Sequence, residues 1–406
     1  MIFVASLSVD LKDLKESFAA LILCTVGDLI TGLFMGVFSG KIVILPALIL
    51  LIPPSIGLRG NIYASLGSRL SSYLHTGRIS PKLEFNPKIV DNVYSSSFLL
   101  LLFSVLSGII AAKISILIGL TTDFWKMAVD LTVISALSGF LSIIFMLPST
   151  LILAIGSYKW VWDPDNVTAP IITLFGDLLT LPLIFLCVDV IFALSSFLKL
   201  ILVVLLLFFA FLLFILSIKS KEKIAKRITK ESFPILLFCL IIQFGAGTIL
   251  GAEIESLIAI AGLLTIIPAF LEDGGAMGGI LSAKFSTMLH LGSLEPTLRI
   301  DKKVFPHFIS MHLLGVVVFA MVGVFGQIVN FTLNLPTIST LEMVLVTVAA
   351  GQFLIVLLNF MSYYFSILSF KKGLDPDNVG IPLITSFMDV LGSFCFIVAL
   401  KLFGII

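Results

Sequence analysis

One segment of the sequence occurs twice, as WDPDNVTAPIITLFGDLLT at residues 162–180 and as LDPDNVGIPLITSFMDVLG at residues 374–392. The two copies are 212 positions apart. A longer segment is repeated as IPPSIGLRGNIYASLGSRLSSYLHTGRISP at 52–81 and IPAFLEDGGAMGGILSAKFSTMLHLGSLEP at 267–296, with a spacing of 215. Blocks in the same order at nearly the same spacing predict an internal duplication of most of the chain.

The composition is typical of a membrane protein. Of the 406 residues, 59% are apolar and 12% are charged, whereas soluble domains have about 25% charged residues. The four cysteines lie in apolar runs without paired spacing, which excludes a disulfide scaffold. The net charge of +1 gives no reason to expect a nucleic-acid partner. We therefore expect an all-α polytopic membrane protein, since about 20 apolar residues in a helix cross the hydrocarbon core of a bilayer.

Eleven stretches are candidates for membrane spans: 18–38, 42–74, 95–119, 128–157, 167–191, 194–218, 233–251, 256–289, 305–330, 341–369 and 379–403. Each repeat holds five of them, and 194–218 lies between the repeats. Five spans end on the opposite side of the membrane from their start, so the extra helix returns the chain before the second copy begins. We expect two parallel five-helix repeats, related by a pseudo-two-fold axis along the membrane normal, with a polar path between them.

The duplication also sets the expected domain boundaries. DLITGLFMG at 28–36 aligns with QFGAGTILG at 243–251, so both repeats begin with a matching first span. The expected segments are a cytoplasmic N-terminal lead-in (1–17), a first repeat (18–192), a linker helix with a basic cytoplasmic loop (193–231) and a second repeat (232–406). Because the duplication places in one chain what a homodimer would assemble from two, we expect a monomer.

Loop charges predict the orientation of the chain. Most loop Lys and Arg residues, among them Lys221, Lys223 and Arg227, fall in one set of loops, while the other set holds Lys41 and a few others. Positively charged loops stay on the cytoplasmic side. The prediction is a multi-pass plasma-membrane protein with its N-terminus in the cytoplasm and, after an odd number of spans, its C-terminus outside.

Two aspartates are the main candidates for chemistry. Asp177 and Asp389 each lie about a dozen residues into a helix that starts at DPDN, so both are expected near the bilayer midplane. A charge at that depth is costly and usually faces a cavity. The pseudo-two-fold axis would bring the two carboxylates together, which favours a cation between them. Thr173 and Thr385 precede them by one turn and offer neutral oxygens, a set that suits a hydrated Mg²⁺. The alternative is that both aspartates are only hydrogen-bonded between helices.

The long span at 42–74 supplies further candidates. We expect Pro53 and Pro54, with the glycines that follow, to break this helix so that Asn61 lines a cavity. In the second copy Gly274 and Gly275 keep the expected break, Ala276 replaces the asparagine, and Glu272 and Asp273 appear instead. A simple packing kink is the alternative.

Asp28 of the first span is a separate candidate. It aligns with Gln243 and is either an acid of the pathway or a buried partner of Arg59.

These motifs resemble the MgtE magnesium channel family, and specifically its tandem-duplicated branch, the solute carrier family 41 transporters. The matching residues are GLRGN and SRLSSYLHTG at 57–61 and 68–77, together with the two DPDN blocks, DPDNVTAPIITLFGD and DPDNVGIPLITSFMD. The resemblance implies that five helices form one unit, that two units make a pore, and that Asp177 and Asp389 hold a hydrated Mg²⁺ there with Asn61 and the threonines nearby. The single-copy members carry large cytosolic Mg²⁺-sensing domains, and we do not expect their gating mechanism to apply to this sequence.

The expected function is therefore transport of divalent cations, Mg²⁺ above all, through a pore between the repeats. A Na⁺- or H⁺-coupled Mg²⁺ exchanger is the alternative to a channel, because the family includes both descriptions. An intramembrane aspartyl protease is a distant alternative, since it also uses two membrane-embedded aspartates. Its Gly-Asp pattern is present at Gly176-Asp177 but is Met388-Asp389 in the second copy, so no enzymatic activity is expected.

Overall fold

The structure, a computed structural model, describes residues 11–75, 77–82, 86–159, 164–220, 224–290, 292–373 and 376–406. The predicted N-terminal lead-in up to residue 10 lies outside this range, as do Asp163 and Asp375 of the two DPDN segments. Over the described ranges the regular structure is entirely helical. The α-helices are α1 (Leu11–Val37), α2 (Ser39–Ile44), α3 (Leu48–His75), α4 (Pro87–Leu117), α5 (Phe124–Lys159), α6 (Pro164–Ala193), α7 (Ser196–Lys219), α8 (Ile224–Ala252), α9 (Ile254–Ala259), α10 (Ile267–His290), α11 (Phe305–Thr332), α12 (Thr340–Lys371) and α13 (Pro376–Leu402).

The long helices account for the predicted membrane spans. In the part of the chain that the structure describes, nine helical stretches are long and apolar enough to cross a membrane, and Leu21–Val37 within α1 is a shorter apolar stretch. Helix α3 is of similar length, 28 residues, but carries polar side chains along its middle. The all-α polytopic membrane class is thereby confirmed.

Helix starts follow local sequence signals. Asn86 caps α4, accepting a hydrogen bond from the Lys88 amide at 2.9 Å, and Pro87 occupies the first helical position. Ser339 and Glu342 form a reciprocal capping box at the start of α12. Such caps satisfy backbone amides that have no partner inside the helix.

The helices form two compact units. The central unit is Lys41–Gly251 and contains α3 to α8; the terminal unit is Met1–Gly40 together with Ala252–Ile406 and contains α1 and α9 to α13. Each unit thus includes the first long helix of the other sequence repeat. The repeat boundaries at 18–192 and 232–406 remain predictions from the sequence, because compactness and sequence repetition divide the chain differently.

The exchanged first helices make closely matched contacts inside their units. In the terminal unit, a Cβ placed on Gly32 of α1 would lie 1.7 Å from the Thr265 carbonyl oxygen, just before α10. In the central unit, a Cβ on Gly247 of α8 would lie 2.9 Å from the Leu50 carbonyl oxygen in α3. The two contacts are equivalent in the repeat: Gly247 matches Gly32, and Thr265 matches Leu50, each 215 positions apart. Glycine is required at both positions because a neighbouring stretch of backbone lies too close for a side chain.

The extra helix α7 packs against α4 and α5 on one side. Leu206 joins Val105 and Ala136 in a small apolar cluster, and Lys199 forms an ion pair with Asp130 at 2.7 Å. Many other side chains of α7, including Phe197 and Phe208, are exposed, as expected for a lipid-facing helix.

The predicted breaks at Pro53–Pro54 and at Gly274–Gly275 are wrong. Helix α3 continues through both prolines, which are its sixth and seventh residues, and α10 continues through both glycines. The chain breaks earlier, at residues 45–47 and 260–266, so each overlong span divides into a six-residue helix and a long one. The prolines lie close to the start of α3, and Gly247 of α8 packs on the Leu50 carbonyl that Pro54 leaves without an amide donor. The glycines serve packing instead, with Gly274 against Leu354.

Candidate functional site

The two predicted aspartates lie at the same position in matching helices. Asp177 is 13 residues after the first residue of α6, Pro164, and Asp389 is 13 residues after the first residue of α13, Pro376. At 1.5 Å per residue both are about 20 Å from the helix start. Asp177 is 3% exposed and Asp389 is half-buried. Asp177 belongs to the central unit and Asp389 to the terminal unit.

Each aspartate helix has a close neighbour at the preceding turn. In the central unit a Cβ on Gly60 of α3 would lie 3.5 Å from Thr173 Cγ2. In the terminal unit a Cβ on Gly275 of α10 would lie 3.8 Å from the Cβ of Thr385. The threonines therefore lie where a second helix passes, one turn before the carboxylates. The hydroxyl of Thr385 donates back to the Pro382 carbonyl at 3.1 Å, which leaves its oxygen lone pairs as acceptors for a ligand.

Asn61 follows Gly60 on α3 and is half-buried. Its side-chain nitrogen is buried and makes no hydrogen bond. At the matching position of α10, the side chain of Ala276 has no polar atom. An uncharged side-chain ligand is therefore present at this helix position in the central unit but not in the terminal unit.

The central unit contains a buried cation. Arg59 of α3 is 2% exposed, and its Nη2 donates to Ser138 Oγ of α5 at 2.7 Å. Its Nη1 makes no hydrogen bond. One turn further along α3, Tyr63 pairs with Ser142 at 3.5 Å, so α3 and α5 are joined by a polar seam. Ser138 was not predicted, because it is one of many serines in apolar helices.

The terminal unit contains buried acids instead. Asp273 of α10 is fully buried, and its Oδ2 accepts a hydrogen bond from Thr25 Oγ1 of α1 at 2.8 Å, while its Oδ1 makes none. Glu272 beside it is half-buried. Asp28, one turn after Thr25 on α1, is also buried. Thr25 was missed by the sequence reasoning, although its spacing of three from Asp28 places both on one helix face.

The Thr25 hydroxyl has two acceptors. Its oxygen lies 2.8 Å from the Leu21 carbonyl oxygen as well as 2.8 Å from Asp273 Oδ2. A hydroxyl has one hydrogen. The hydroxyl therefore shares its one hydrogen between the Leu21 carbonyl and the Asp273 carboxyl oxygen.

Other acids in or near the spans have local partners. Asp189 pairs with Lys41 at 2.6 Å in the central unit, and Glu253 pairs with Lys401 in the terminal unit. Asp189 and Lys401 occupy matching positions 212 apart, so the charges of this pair are reversed between the units. These carboxylates are held by lysines and are poor candidates for a mobile ion.

The donor set limits the kind of metal that could bind. Among the described residues, three or more His, Cys, Asp or Glu side chains do not gather at any one point that could hold a metal ion. The candidates are isolated carboxylates with nearby hydroxyl and amide groups. Such sparse oxygen ligands suit a hard cation that keeps most of its water, as Mg²⁺ does.

The fold and the carboxylates buried in its apolar helices define a multi-pass membrane protein with ionisable side chains inside its long helices. The sequence profile of the MgtE family, described as "Divalent cation transporter", matches residues 52–187 and 267–399. The chain therefore belongs to the MgtE family of divalent cation transporters. The starts of the two matched segments are 215 positions apart, the same spacing as the repeated segments.

Curated relatives extend over most of the chain. It is 28% identical to solute carrier family 41 member 3 of Rattus norvegicus over 362 residues, which is 85% of this chain and 77% of that protein. It is 23% identical to solute carrier family 41 member 2 of Homo sapiens over 370 residues, 85% of this chain and 62% of that protein. No solved structure matches the chain. The predicted resemblance to the MgtE family and its solute carrier family 41 branch is confirmed, and the relatives are transporters rather than peptidases.

Proposed function

We propose that the protein transports Mg²⁺ across the plasma membrane, with Asp177 and Asp389 as the residues that bind the ion along its path. The observation that carries the proposal is their equal position, 13 residues into α6 and α13, in segments that both match the family profile. Two carboxylates kept at the same depth of two apolar helices are costly unless they meet a cation.

The neighbouring groups support binding of a hydrated ion. Thr173 and Thr385 lie one turn from the carboxylates, and Asn61 has a buried amide nitrogen without a hydrogen bond. Hydroxyl and amide groups can hold the waters that Mg²⁺ gives up reluctantly. In this proposal Asp28 and Asp273 are further acids of the ion pathway.

The duplication supports a pathway between the two sequence repeats, formed by a single chain. This proposal also predicts that the connection just before α4 and the connection just before α11, at 296–304, lie on the same, cytoplasmic face. Labelling of single cysteines introduced into each loop, with a membrane-impermeant reagent on intact cells, tests it. Labelling of one loop but not the other from the outside would show inverted repeats and would remove the basis for a shared pathway.

Coupled exchange is the second candidate function, favoured by the Thr25–Asp273 contact. Asp273 is a fully buried carboxyl whose Oδ2 accepts a hydrogen bond from Thr25, and no equivalent acid exists at the matching position, Leu58. A carboxyl that holds a proton in one state and gives it up in another can link the flux of protons to the flux of Mg²⁺.

Reconstitution tests both forms of the proposal. Purified protein is placed in liposomes with an entrapped Mg²⁺-sensitive dye, and uptake is recorded after addition of external Mg²⁺. We expect uptake above that of protein-free liposomes, and an absence of uptake would contradict the function. Repeating the assay with an imposed Na⁺ or H⁺ gradient separates the mechanisms, since only an exchanger moves Mg²⁺ against its own gradient.

A further inference from the structure

One buried carboxylate holds both ends of the connection between α7 and α8. Asp91 of α4 is buried, and its Oδ1 accepts a hydrogen bond from the hydroxyl of Ser220, the residue that follows α7. Its Oδ2 accepts one from the backbone amide of Ala225, the second residue of α8, at 3.2 Å. The hydroxyl oxygens of Ser217 and Thr229 also lie 3.4 Å apart, one on each helix. The start of α8 is therefore fixed to α4, and a helix amide without an intrahelical partner is satisfied by an acid.

Exposed basic side chains flank this fixed connection. One ends α7 and three lie in the first two turns of α8, and we call them the basic cluster: Lys219, Lys226, Arg227 and Lys230. At 3.6 residues per turn, the three members on α8 lie within an arc of about 100° around the helix. Ala225 and Ile228, on the other side of the helix, are buried.

The basic cluster has little acidic compensation. Arg227 Nε lies 2.8 Å from Glu231 Oε1, and both side chains are largely exposed. Exposed ion pairs of this kind are weak, so the guanidinium can also bind another anion. Four basic residues beside one acidic residue leave this surface positively charged.

The basic cluster lies where the chain leaves and re-enters the membrane, because α7 and α8 are both long and apolar enough to cross it. Ile218, next to the last residue of α7, is 49% exposed, and Phe233 on α8 is 37% exposed. Lys230 precedes Phe233 by three residues, or about 5 Å along the helix. Lysine and arginine at this level place their charged groups among the lipid headgroups while their stems follow the apolar surface.

The same basic entry sequence begins both repeats. KESF occurs at 15–18 and again at 230–233, with the spacing of 215 found for the longer repeated segment, and Lys12 matches Arg227. The apolar residues that follow KESF differ at most positions between the two copies. The basic entry therefore belongs to the repeat itself and is not a by-product of the loop that connects α7 to α8.

We propose that the basic cluster is a binding site for the headgroups of anionic phospholipids. The exposed side of α8 is held by the lipid phosphate, as its buried side is held by Asp91. The cluster is kept in one place by the contacts of Asp91 at both ends of the connection, so less side-chain and loop ordering is needed when the lipid binds. This inference does not rest on the proposed transport of Mg²⁺, and its test needs no transport measurement.

The test measures the affinity of the purified full chain, in non-ionic detergent, for phosphatidylglycerol labelled on an acyl chain. Phosphatidylcholine with the same label is the reference lipid. Each basic side chain near a membrane surface strengthens binding of anionic lipid about fivefold, and one member of the cluster is partly neutralised by Glu231. We therefore expect the wild type to prefer phosphatidylglycerol by about tenfold or more. The triple variant Lys226→Gln, Arg227→Gln, Lys230→Gln should prefer it by about twofold or less.

The matched control is the triple variant Lys302→Gln, Lys371→Gln, Lys372→Gln, which removes three exposed lysines from the terminal unit and changes the net charge equally. It should keep the wild-type preference. The same preference in the wild type and in the variant of α8 would overturn the inference, as would an equal loss in the control. Displacement of the labelled lipid by water-soluble glycerol phosphate would show a site for free phosphate instead of a lipid site.

A second measurement uses the wild type alone and does not depend on the folding of any variant. Salt screens charges at a membrane surface, so the preference for phosphatidylglycerol should fall severalfold between about 0.05 M and 0.5 M NaCl. A preference that salt leaves unchanged would contradict binding through the basic cluster.

Discussion

The hydrogen bond between Thr25 and Asp273 links α1 to α10 and can be removed almost without a change of shape. Thr25→Val replaces the hydroxyl with a methyl group of similar size. The substitution deprives Asp273 Oδ2 of the donor 2.8 Å away, while Oδ1 already makes no hydrogen bond. Loss of a hydrogen-bond partner for a buried polar group costs about 1–3 kcal/mol. We therefore expect Thr25→Val to lower the free energy of unfolding by about 2 kcal/mol.

The measurement is a denaturant titration of the purified protein in detergent micelles, which gives the free energy of unfolding of each variant. Thr31→Val is the matched control, since Thr31 is buried on the same helix and its hydroxyl donates to the Gly27 carbonyl at 3.5 Å. This backbone contact is weak, so the control should lose well under about 1 kcal/mol. A double-mutant cycle with Asp273→Asn then isolates the pair, for which we expect a coupling energy of about 1 kcal/mol or more. Equal destabilisation by Thr25→Val and Thr31→Val would refute the reasoning.

Two further outcomes follow from the same contacts. Gly32→Ala places a methyl group 1.7 Å from the Thr265 carbonyl oxygen, so α1 must shift and the unfolding midpoint should fall, at a cost of about 1–3 kcal/mol or more. Gly40→Ala, which meets nothing within 4 Å, is its control, and equal midpoints would contradict the close approach. Asp273→Asn should flatten the pH dependence of Mg²⁺ uptake between about pH 6 and pH 8 more than Asn61→Ala does, because only the former removes a titrating group. Identical pH profiles for the wild type and Asp273→Asn would exclude a coupling role for this carboxyl.

Sequence repetition predicted the position of the two aspartates along their helices better than it predicted the path of the chain. The DPDN segments located the starts of α6 and α13, and from them the equal distance of Asp177 and Asp389 from the helix starts, because a helix start and the rise per residue depend only on local sequence. The prolines of α3 misled the prediction. A proline removes one backbone hydrogen bond, but whether the helix then breaks depends on what packs beside it, and here α8 packs on the freed Leu50 carbonyl.

Contacts between distant residues could not be predicted. Thr25 and Asp273 are 248 positions apart, and Arg59 and Ser138 are 79 apart. Apolar helices in lipid show little periodicity, since both the protein-facing and the lipid-facing sides are apolar. Hydropathy therefore locates the spans but does not say which helices are neighbours, and the exchange of α1 and α8 between the units was not visible in the sequence.

The central claim is that the two matched aspartates bind the transported ion, and Mg²⁺ flux through single and double variants tests it most directly. Asp177→Asn and Asp389→Asn are each reconstituted in liposomes, with their combination as the third variant. Asp189→Asn is the control, because Asp189 lies on the same helix as Asp177 but forms an ion pair with Lys41. The account predicts folded proteins with Mg²⁺ flux reduced about tenfold or more in each single variant, abolished in the double variant and unchanged in the control. A double variant that transports Mg²⁺ at the wild-type rate would contradict the claim.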